Sequence, residues 1–595
     1  MWLMILVCLA FVLGALILRK EGAVFVSPDE TAAHFFATTY AHTGRLFAEE
    51  RLNVFLNDAL HPRSVLSLNG RLVPASFFGL PMIAGTVAVL FGDGSVPFTP
   101  IVLSVLAVLA WAAVCRRVFS PRIGWLSGIM LALHPAWLYY TARSLMPNVI
   151  LVALLIFAAF FLVVRPCASF MYSSGKQRSM GLARTRFLAA FGKWKMRWAD
   201  GICAGACIGL AMFARASEAV WIMPAMMLLL VWKRKTVGWQ TIMGACAALC
   251  VTLIPLFVFQ KTLYGSWTLT GYTVPSPTLS SFLSQAETSL TEPSWHVGVE
   301  QALSPILPFG VHPFLAWRQF FSYGLGMFWW AFLAAILGIA IGGLRLLKRE
   351  RLYRFVETGL LRRMPSRNDE GEGHGDVGDA GTRCAWTGYF VLFLGISFWL
   401  ILLYGSWTFS DNPDPTQLTI GNSHVRYWLP IFVLATPFAA YAIDACARWC
   451  VSWNVDRLAG RAVYILLIFL YAFLGFRVAF LDPQDGLFAA ARILAESHVI
   501  RDGVLAITEP DAVIVVDRGD KLFFPHRRVL YPLRDEKTYA LMPRIVERAP
   551  LYYFGITLPA QDLDYLNAEK LKALGLQIKP VQTFWMETLY RIERN

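Results

Sequence analysis

The stretch LVPASFFGLPMIAGTVAVLFG, residues 72–92, carries no charge and passes a hydropathy window as a membrane span. It is interrupted by Pro74, Gly79, Pro81 and Gly85. Prolines so close together disfavour one straight helix, because each removes a backbone donor and crowds the preceding turn. We read the stretch as a juxtamembrane or re-entrant segment, which is tolerated where protein covers the backbone. The topology turns on that reading. If 72–92 does not cross and the N-terminus is cytoplasmic, the polar loop before it lies outside; if it crosses, with the N-terminus outside, that loop is cytoplasmic. The positive charge further along fits both.

Upstream, residues 2–18 are apolar and read as an uncleaved anchor, although Arg19 and Lys20 then sit on the outer side. The loop that follows carries Asp29, Glu30, His34, His42, Arg45, His61, Arg63 and Arg71. Downstream, spans are expected at 97–115, 123–140, 148–164, 200–214, 219–232, 237–259, 325–344, 386–404, 427–446 and 462–480, eleven with the anchor. Alternate loops are basic, among them eight Lys and Arg with no acid between 165 and 198, and are assigned to the cytoplasm. The intervening loops are poor in bases, with Arg143 alone, Arg215 alone, Lys261 and Arg318 in one long loop, and Arg426 alone, and face out.

With 57% apolar and 15% charged residues in 595, the chain is a polytopic membrane protein. Its net charge of +14 is bunched between apolar runs, so no nucleic-acid partner is expected. The ten cysteines fall in apolar runs or inner loops, which argues against a disulfide framework and a metal cluster. Residues 368–382, NDEGEGHGDVGDAGT, read as a flexible cytoplasmic linker. A heptapeptide nearly recurs, LYGSWTL at 263–269 and LYGSWTF at 403–409: either an aromatic interfacial anchor used twice or two related loops lining one outer cavity. Residues 481–595 have a soluble balance of charge. Helices are expected at 487–500, 537–549 and 563–574, with strands at 512–516, 528–531, 551–556 and 583–592, a small extracytoplasmic α/β domain.

The chemistry is read from VSPDETAAH, residues 26–34, where Asp29 and Glu30 sit beside the membrane. Such a carboxylate suits a general base that takes a proton from a hydroxyl acceptor while a sugar leaves a lipid phosphate. The phosphate needs positive charge, and arginine grips it with a planar fork of donors. Arg143 in TARSLMPN, Arg215 in FARASE and Arg426 in GNSHVRYWLP are each isolated at an outer end. With His61 and Arg63 of the first loop they make up the candidate substrate-binding set.

Ser-Pro-Asp29-Glu30, the helical stretch after it and Gly44-Arg-Leu resemble the first-loop acidic motif of the GT-C glycosyltransferases, a superfamily that includes protein O-mannosyltransferases, lipid A aminoarabinose transferases and RgtA/B/C/D-like enzymes. Arg71-Leu-Val-Pro through Phe91-Gly92, the LHPAWLYYTARSLMP run around Arg143 and Val425-Arg426-Tyr-Trp-Leu-Pro430 extend the resemblance over residues 1–450. It implies a GT-C-like transmembrane domain (1–480, first outer loop 19–96) followed by the 481–595 domain. It also implies an inverting transferase of the plasma membrane with a cytoplasmic N-terminus. Such an enzyme moves a sugar from a polyprenyl-phosphate donor to a lipid, glycan or protein acceptor on the outer face. Asp29 would be the catalytic carboxylate and Glu30 its partner in placing the acceptor. Many relatives have an acid where this chain has Asn148, and His34 and His42 read as ordinary hydrogen-bonding residues, so no metal or cofactor is expected. The competing reading is a transporter or lipid-linked oligosaccharide flippase, which internal repeats and charges buried mid-span would favour.

Overall fold

The computed structural model describes residues 2–19, 24–164, 184–233, 237–274, 309–357, 376–409, 411, 417–452 and 457–595. Among these, five helices are long and apolar enough to cross a membrane: Asp93–Val118, Trp239–Tyr264, Trp386–Gly405, Leu429–Trp449 and Leu458–Leu481. Three further pairs pass the same test only together and are sharply bent: Pro135–Ala142 with Pro147–Val163 (118°), Arg197–Ala214 with Ala216–Trp232 (119°) and Pro313–Gly326 with Trp329–Leu344 (96°). The described residues therefore hold five to eight candidate spans by length and apolarity, where eleven separate ones were expected. The chain is a helical integral membrane protein.

Packing between helices relies on glycine. A Cβ on Gly201 would lie 2.3 Å from the Thr241 carbonyl oxygen, and one on Gly205 would lie 2.0 Å from that of Ala245. The Arg184–Ala214 and Trp239–Tyr264 helices thus meet backbone to backbone, as small residues allow in a membrane, where dispersion rather than water expulsion drives association.

Residues 72–92 divide in two. Arg71–Pro74 is a strand, antiparallel to Val65–Leu68 on one side and to Ala48–Glu49 on the other. Gly79–Phe91 is a helix of 13 residues, about 20 Å at 1.5 Å per residue and too short to cross alone. It lies against the Pro28–Thr43 helix so closely that a Cβ on Gly85 would meet the Ala37 carbonyl oxygen at 2.6 Å. A Cβ on Gly79 would come closer still to the Phe213 carbonyl oxygen, at 2.3 Å. The first loop is thus a folded unit of two helices and a three-stranded sheet, docked on the bundle.

After Leu481 comes an α/β domain. Its five-stranded sheet runs Arg528–Leu530, Val513–Val516, Leu551–Ile556, Glu587–Arg594, Leu576–Phe584; the first three strands are parallel and the last two antiparallel. Val513–Val516 is buried throughout, as the central parallel strand of a sheet covered on both faces must be. The single strand expected near 583–592 is a hairpin, because Trp585 takes the left-handed backbone and turns the chain back. Leu56 and Leu60 of the first loop are buried in this domain's core, and Arg528 pairs with Glu50 at 2.9 Å. The expected linker at 368–382 lies outside the described residues up to 375; from Asp376 the chain is helical. No disulfide joins the described cysteines.

Candidate active site

Ser27 caps the Pro28–Thr43 helix. Its hydroxyl accepts from the Glu30 amide at 3.4 Å, and Glu30 Oε2 accepts from the Ser27 amide at 3.0 Å, a reciprocal capping box. That box divides the two carboxylates. Glu30 is 2% exposed and also lies 3.4 Å from Arg143 Nη2, whose guanidinium is buried beside the Tyr139 ring. Glu30 and Arg143 therefore neutralise each other inside the protein, and neither lines the cavity described next. The Asp29 side chain is 39% exposed and opens onto that cavity. Its Oδ1 accepts from the Ser64 hydroxyl, and its Oδ2 faces Arg426 Nη1 at 3.8 Å.

The cavity is open to solvent and is bounded by Asp29, Ser76, Asn148, Arg215, Tyr272, Arg426 and Tyr427, with Phe77, Leu80, Leu145 and prolines completing an apolar wall. Arg215 stands at the bend between two helices. Its Nε is 2.9 Å from Glu218 Oε1, and its guanidinium carbon lies 4.6 Å from the Tyr427 ring centre and 5.6 Å from that of Phe77. The Tyr404 hydroxyl and the Trp221 indole N–H both donate to the Glu218 carboxylate, so Glu218 is fully engaged in fixing Arg215. Arg426, in the short helix Ser423–Tyr427, donates to Ser423 Oγ at 2.7 Å and touches the Met146 sulfur at 3.1 Å. Its buried Nε has no protein partner. Asn148, the second residue of the Pro147–Val163 helix, lines the cavity with a buried, unpartnered Oδ1.

Of the expected site residues, the structure brings Asp29, Arg215 and Arg426 to one cavity and sets Glu30 and Arg143 just behind it. His61 and Arg63 are elsewhere: the His61 ring meets Tyr531 edge to face at 5.7 Å, and Arg63 is locked onto Asp520 at 2.6 Å. Both are held by the C-terminal domain, because residues 50–64 pack on it. Burial pushes the His61 imidazole below its usual range. His42 pairs with Asp93 at 2.7 Å and His34 lies against Phe25, so neither joins Asp29. Among the described residues no three His, Cys, Asp or Glu side chains stand as metal ligands would.

The recurring heptapeptides supply struts behind the cavity wall. Tyr264 donates to the Pro74 carbonyl at 2.7 Å, and Tyr404, besides holding Glu218, stacks on Tyr427 at 4.4 Å. Sequence reasoning missed Ser64, Glu218, Tyr272 and Tyr427. Tyr427 could have been suspected from the Arg-Tyr pair it forms with Arg426; Ser64 carried no signal.

No sequence-family profile matches the chain, and no curated protein matches it significantly. Solved structures do. The apo crystal structure of ArnT from Cupriavidus metallidurans superposes with a TM-score of 0.50 at 12% identity, over 99% of this chain and 97% of that one. ArnT bound to undecaprenyl phosphate gives 0.49 over the same shares at 12% identity. The Archaeoglobus fulgidus oligosaccharyltransferase tethered to an acceptor peptide gives 0.47 at 12% identity, over 96% of this chain and 70% of that one. Over nearly its whole length, from the helical bundle to the terminal α/β domain, the chain shares the fold of that apo ArnT structure.

Proposed function

We propose that the chain is an inverting membrane glycosyltransferase that moves a sugar from a polyprenyl-phosphate donor to a hydroxyl on a lipid, glycan or protein acceptor, at the outer face of the plasma membrane. The observation that carries this reading is one cavity in which an accessible carboxylate, Asp29, faces two arginines fixed by the fold, Arg215 and Arg426. The fold shared with apo ArnT supports it.

Arg426 and Arg215 take the donor phosphate with charge-assisted hydrogen bonds, and Arg426 is drawn off Asp29 as the phosphate arrives. The acceptor hydroxyl gives its proton to Asp29 Oδ2 as its oxygen bonds to the anomeric carbon. The bond from that carbon to the phosphate oxygen breaks with both electrons going to the phosphate, and polyprenyl phosphate leaves. Attack opposite the leaving group inverts the anomeric centre. Tyr272 and Tyr427 offer ring faces and hydroxyls to the sugar. The reaction is metal-independent on this reading: Glu30 is consumed by its cap and by Arg143, Asn148 offers only a neutral oxygen, and the leaving charge is met by guanidinium groups.

For orientation, we count the apolar runs 2–18 and 123–140 as crossings beside the five long helices and Pro147–Val163, Arg197–Ala214, Ala216–Trp232 and Trp329–Leu344, which makes eleven. The alternation of basic loops then puts the N-terminus inside, with Asp29 and the C-terminal domain outside. The test is to incubate the purified chain with a panel of polyprenyl-phosphate-linked hexoses and pentoses and to measure release of polyprenyl phosphate, with and without EDTA. Release that survives EDTA and yields a product of inverted configuration supports the reading. A chain that consumes none of them, yet moves labelled polyprenyl-phosphate sugar between vesicle leaflets, overturns it in favour of transport.

A further inference from the structure

We propose that the C-terminal domain is part of the catalytic machinery, because Asp520 and Lys521 set the position of Asp29; the proposal rests on Asp29 acting as the base. These neighbours begin one short helix, Asp520–Phe523, and they hold the first loop on both sides of Asp29.

Lys521 Nζ donates at 2.6 Å to the carbonyl of Val26, three residues before Asp29 and just ahead of the Ser27 cap. Asp520, 1% exposed, grips Arg63 through three bonds. Its Oδ2 accepts from the Arg63 backbone amide at 2.8 Å, and its Oδ1 accepts from Nε at 3.0 Å and Nη2 at 2.6 Å. Arg63 Nη2 also donates to the Arg518 carbonyl at 2.9 Å. The residue after Arg63 is Ser64, whose hydroxyl donates to Asp29 Oδ1. Ser64 has φ +65, in the left-handed region that a residue with a Cβ occupies at a cost of about 1 kcal/mol. That conformation is held by the clamp on its neighbour, and it is what turns the hydroxyl toward Asp29.

The consequence is a choice of oxygen. With Oδ1 occupied by Ser64, Oδ2 is the atom left facing Arg426 and the cavity. A general base works only within hydrogen-bond reach of its proton, and a displacement of about 1 Å can cost roughly 100-fold in rate. Phe35 against Phe524 at 4.7 Å seats the helix that carries Asp29 on the same part of the domain.

Simple docking of two domains would give similar contacts, so the test must separate position from stability. Ser64→Gly removes the hydroxyl where glycine is the residue best suited to the backbone. We expect its thermal midpoint to match or exceed that of the wild type, while kcat for release of polyprenyl phosphate falls about 10- to 100-fold and donor KM changes less than about 2-fold. Asp520→Asn turns one acceptor of the clamp into a donor and should lower kcat with the same KM pattern. Because both changes act on one route, the double variant should be no slower than the slower single. A second readout needs no substrate: amide hydrogen exchange of the full-length chain in nanodiscs. Asp520→Asn should speed exchange at residues 26–31 and 61–66 and leave Trp239–Tyr264 unchanged.

Unchanged kcat in Ser64→Gly, or faster exchange confined to the C-terminal sheet, overturns the positioning role while leaving the transferase reading intact. If Asp29→Asn turns over as the wild type does, or no donor is consumed, the transferase reading fails instead. Exchange at 26–31 still decides whether Asp520 holds the loop.

Discussion

Glu218→Gln isolates what holds Arg215 in place. The side chains of Arg215 and Glu218 are 7% and 3% exposed and their charged atoms are 2.9 Å apart. Removing one member of such a pair leaves an uncompensated buried charge, worth about 3–5 kcal/mol. The glutamine amide also cannot accept from both Tyr404 and Trp221, so one donor loses its partner, another 1–3 kcal/mol or so in isolation. The two costs overlap, and the adjoining cavity admits water to Arg215, so we take about 3 kcal/mol. Unfolding entropy near 2.1 cal/mol/K per residue, over a chain of this length, converts that to a fall in thermal midpoint of about 2–3 °C. The assay is tryptophan fluorescence during a thermal ramp in detergent, beside release of polyprenyl phosphate. Glu218→Gln should melt lower and release less. Arg215→Met with Glu218→Met should recover most of the midpoint, since the buried charge is gone, yet stay inactive, since an arginine proposed to bind the phosphate is gone too. A midpoint within about 1 °C of wild type for Glu218→Gln, or a double variant less stable than the single, would refute the reasoning.

Arg426→Lys keeps the charge and loses the planar fork, so donor KM should rise roughly 10-fold with a smaller change in kcat, read from initial rates against donor concentration. His61 gives a pH dependence. Burial lowers its folded pKa, with Asp58 and Asp520 opposing, and Tyr531 caps its ring. The unfolded chain therefore binds the proton first. The wild type should lose stability as pH falls below about 6.5, by at most about 1.4 kcal/mol per unit from this residue. His61→Gln should flatten that part of the curve in midpoints taken from pH 7 to 5; an unchanged slope would mean that His61 does not titrate on unfolding.

Much of the site was readable from the chain, although its division of labour was not drawn out. Asp29 and Glu30 stand out as a pair at a membrane edge, but Ser27-Pro-Asp-Glu30 is also a capping box. The box alone assigns Glu30 to the backbone and leaves Asp29 free. The isolated arginines at 215 and 426 were legible for a related reason: a lone cation at a membrane end has few explanations. The bends before Pro147 and at Arg215 were not, because a break in an apolar run gives neither its angle nor the limb it folds against. In 576–594, apolar alternation announced a strand but not the turn at Trp585. Least legible was the hold on Asp29. Ser64 is 35 residues away from it, and Asp520 is 457 residues from Arg63. No local pattern marks a serine at positive φ beside contacts of that range.

The most direct test of the account compares binding with turnover in Asp29→Asn. The variant is nearly isosteric, keeps an acceptor for Ser64 and leaves Arg215 and Arg426 in place. It should therefore bind undecaprenyl phosphate within a few-fold of wild type. Without a base, release of polyprenyl phosphate from the donor should fall by about 100-fold or more. Retained turnover, or loss of binding in step with turnover, would contradict the assignment of Asp29 as the group that activates the acceptor.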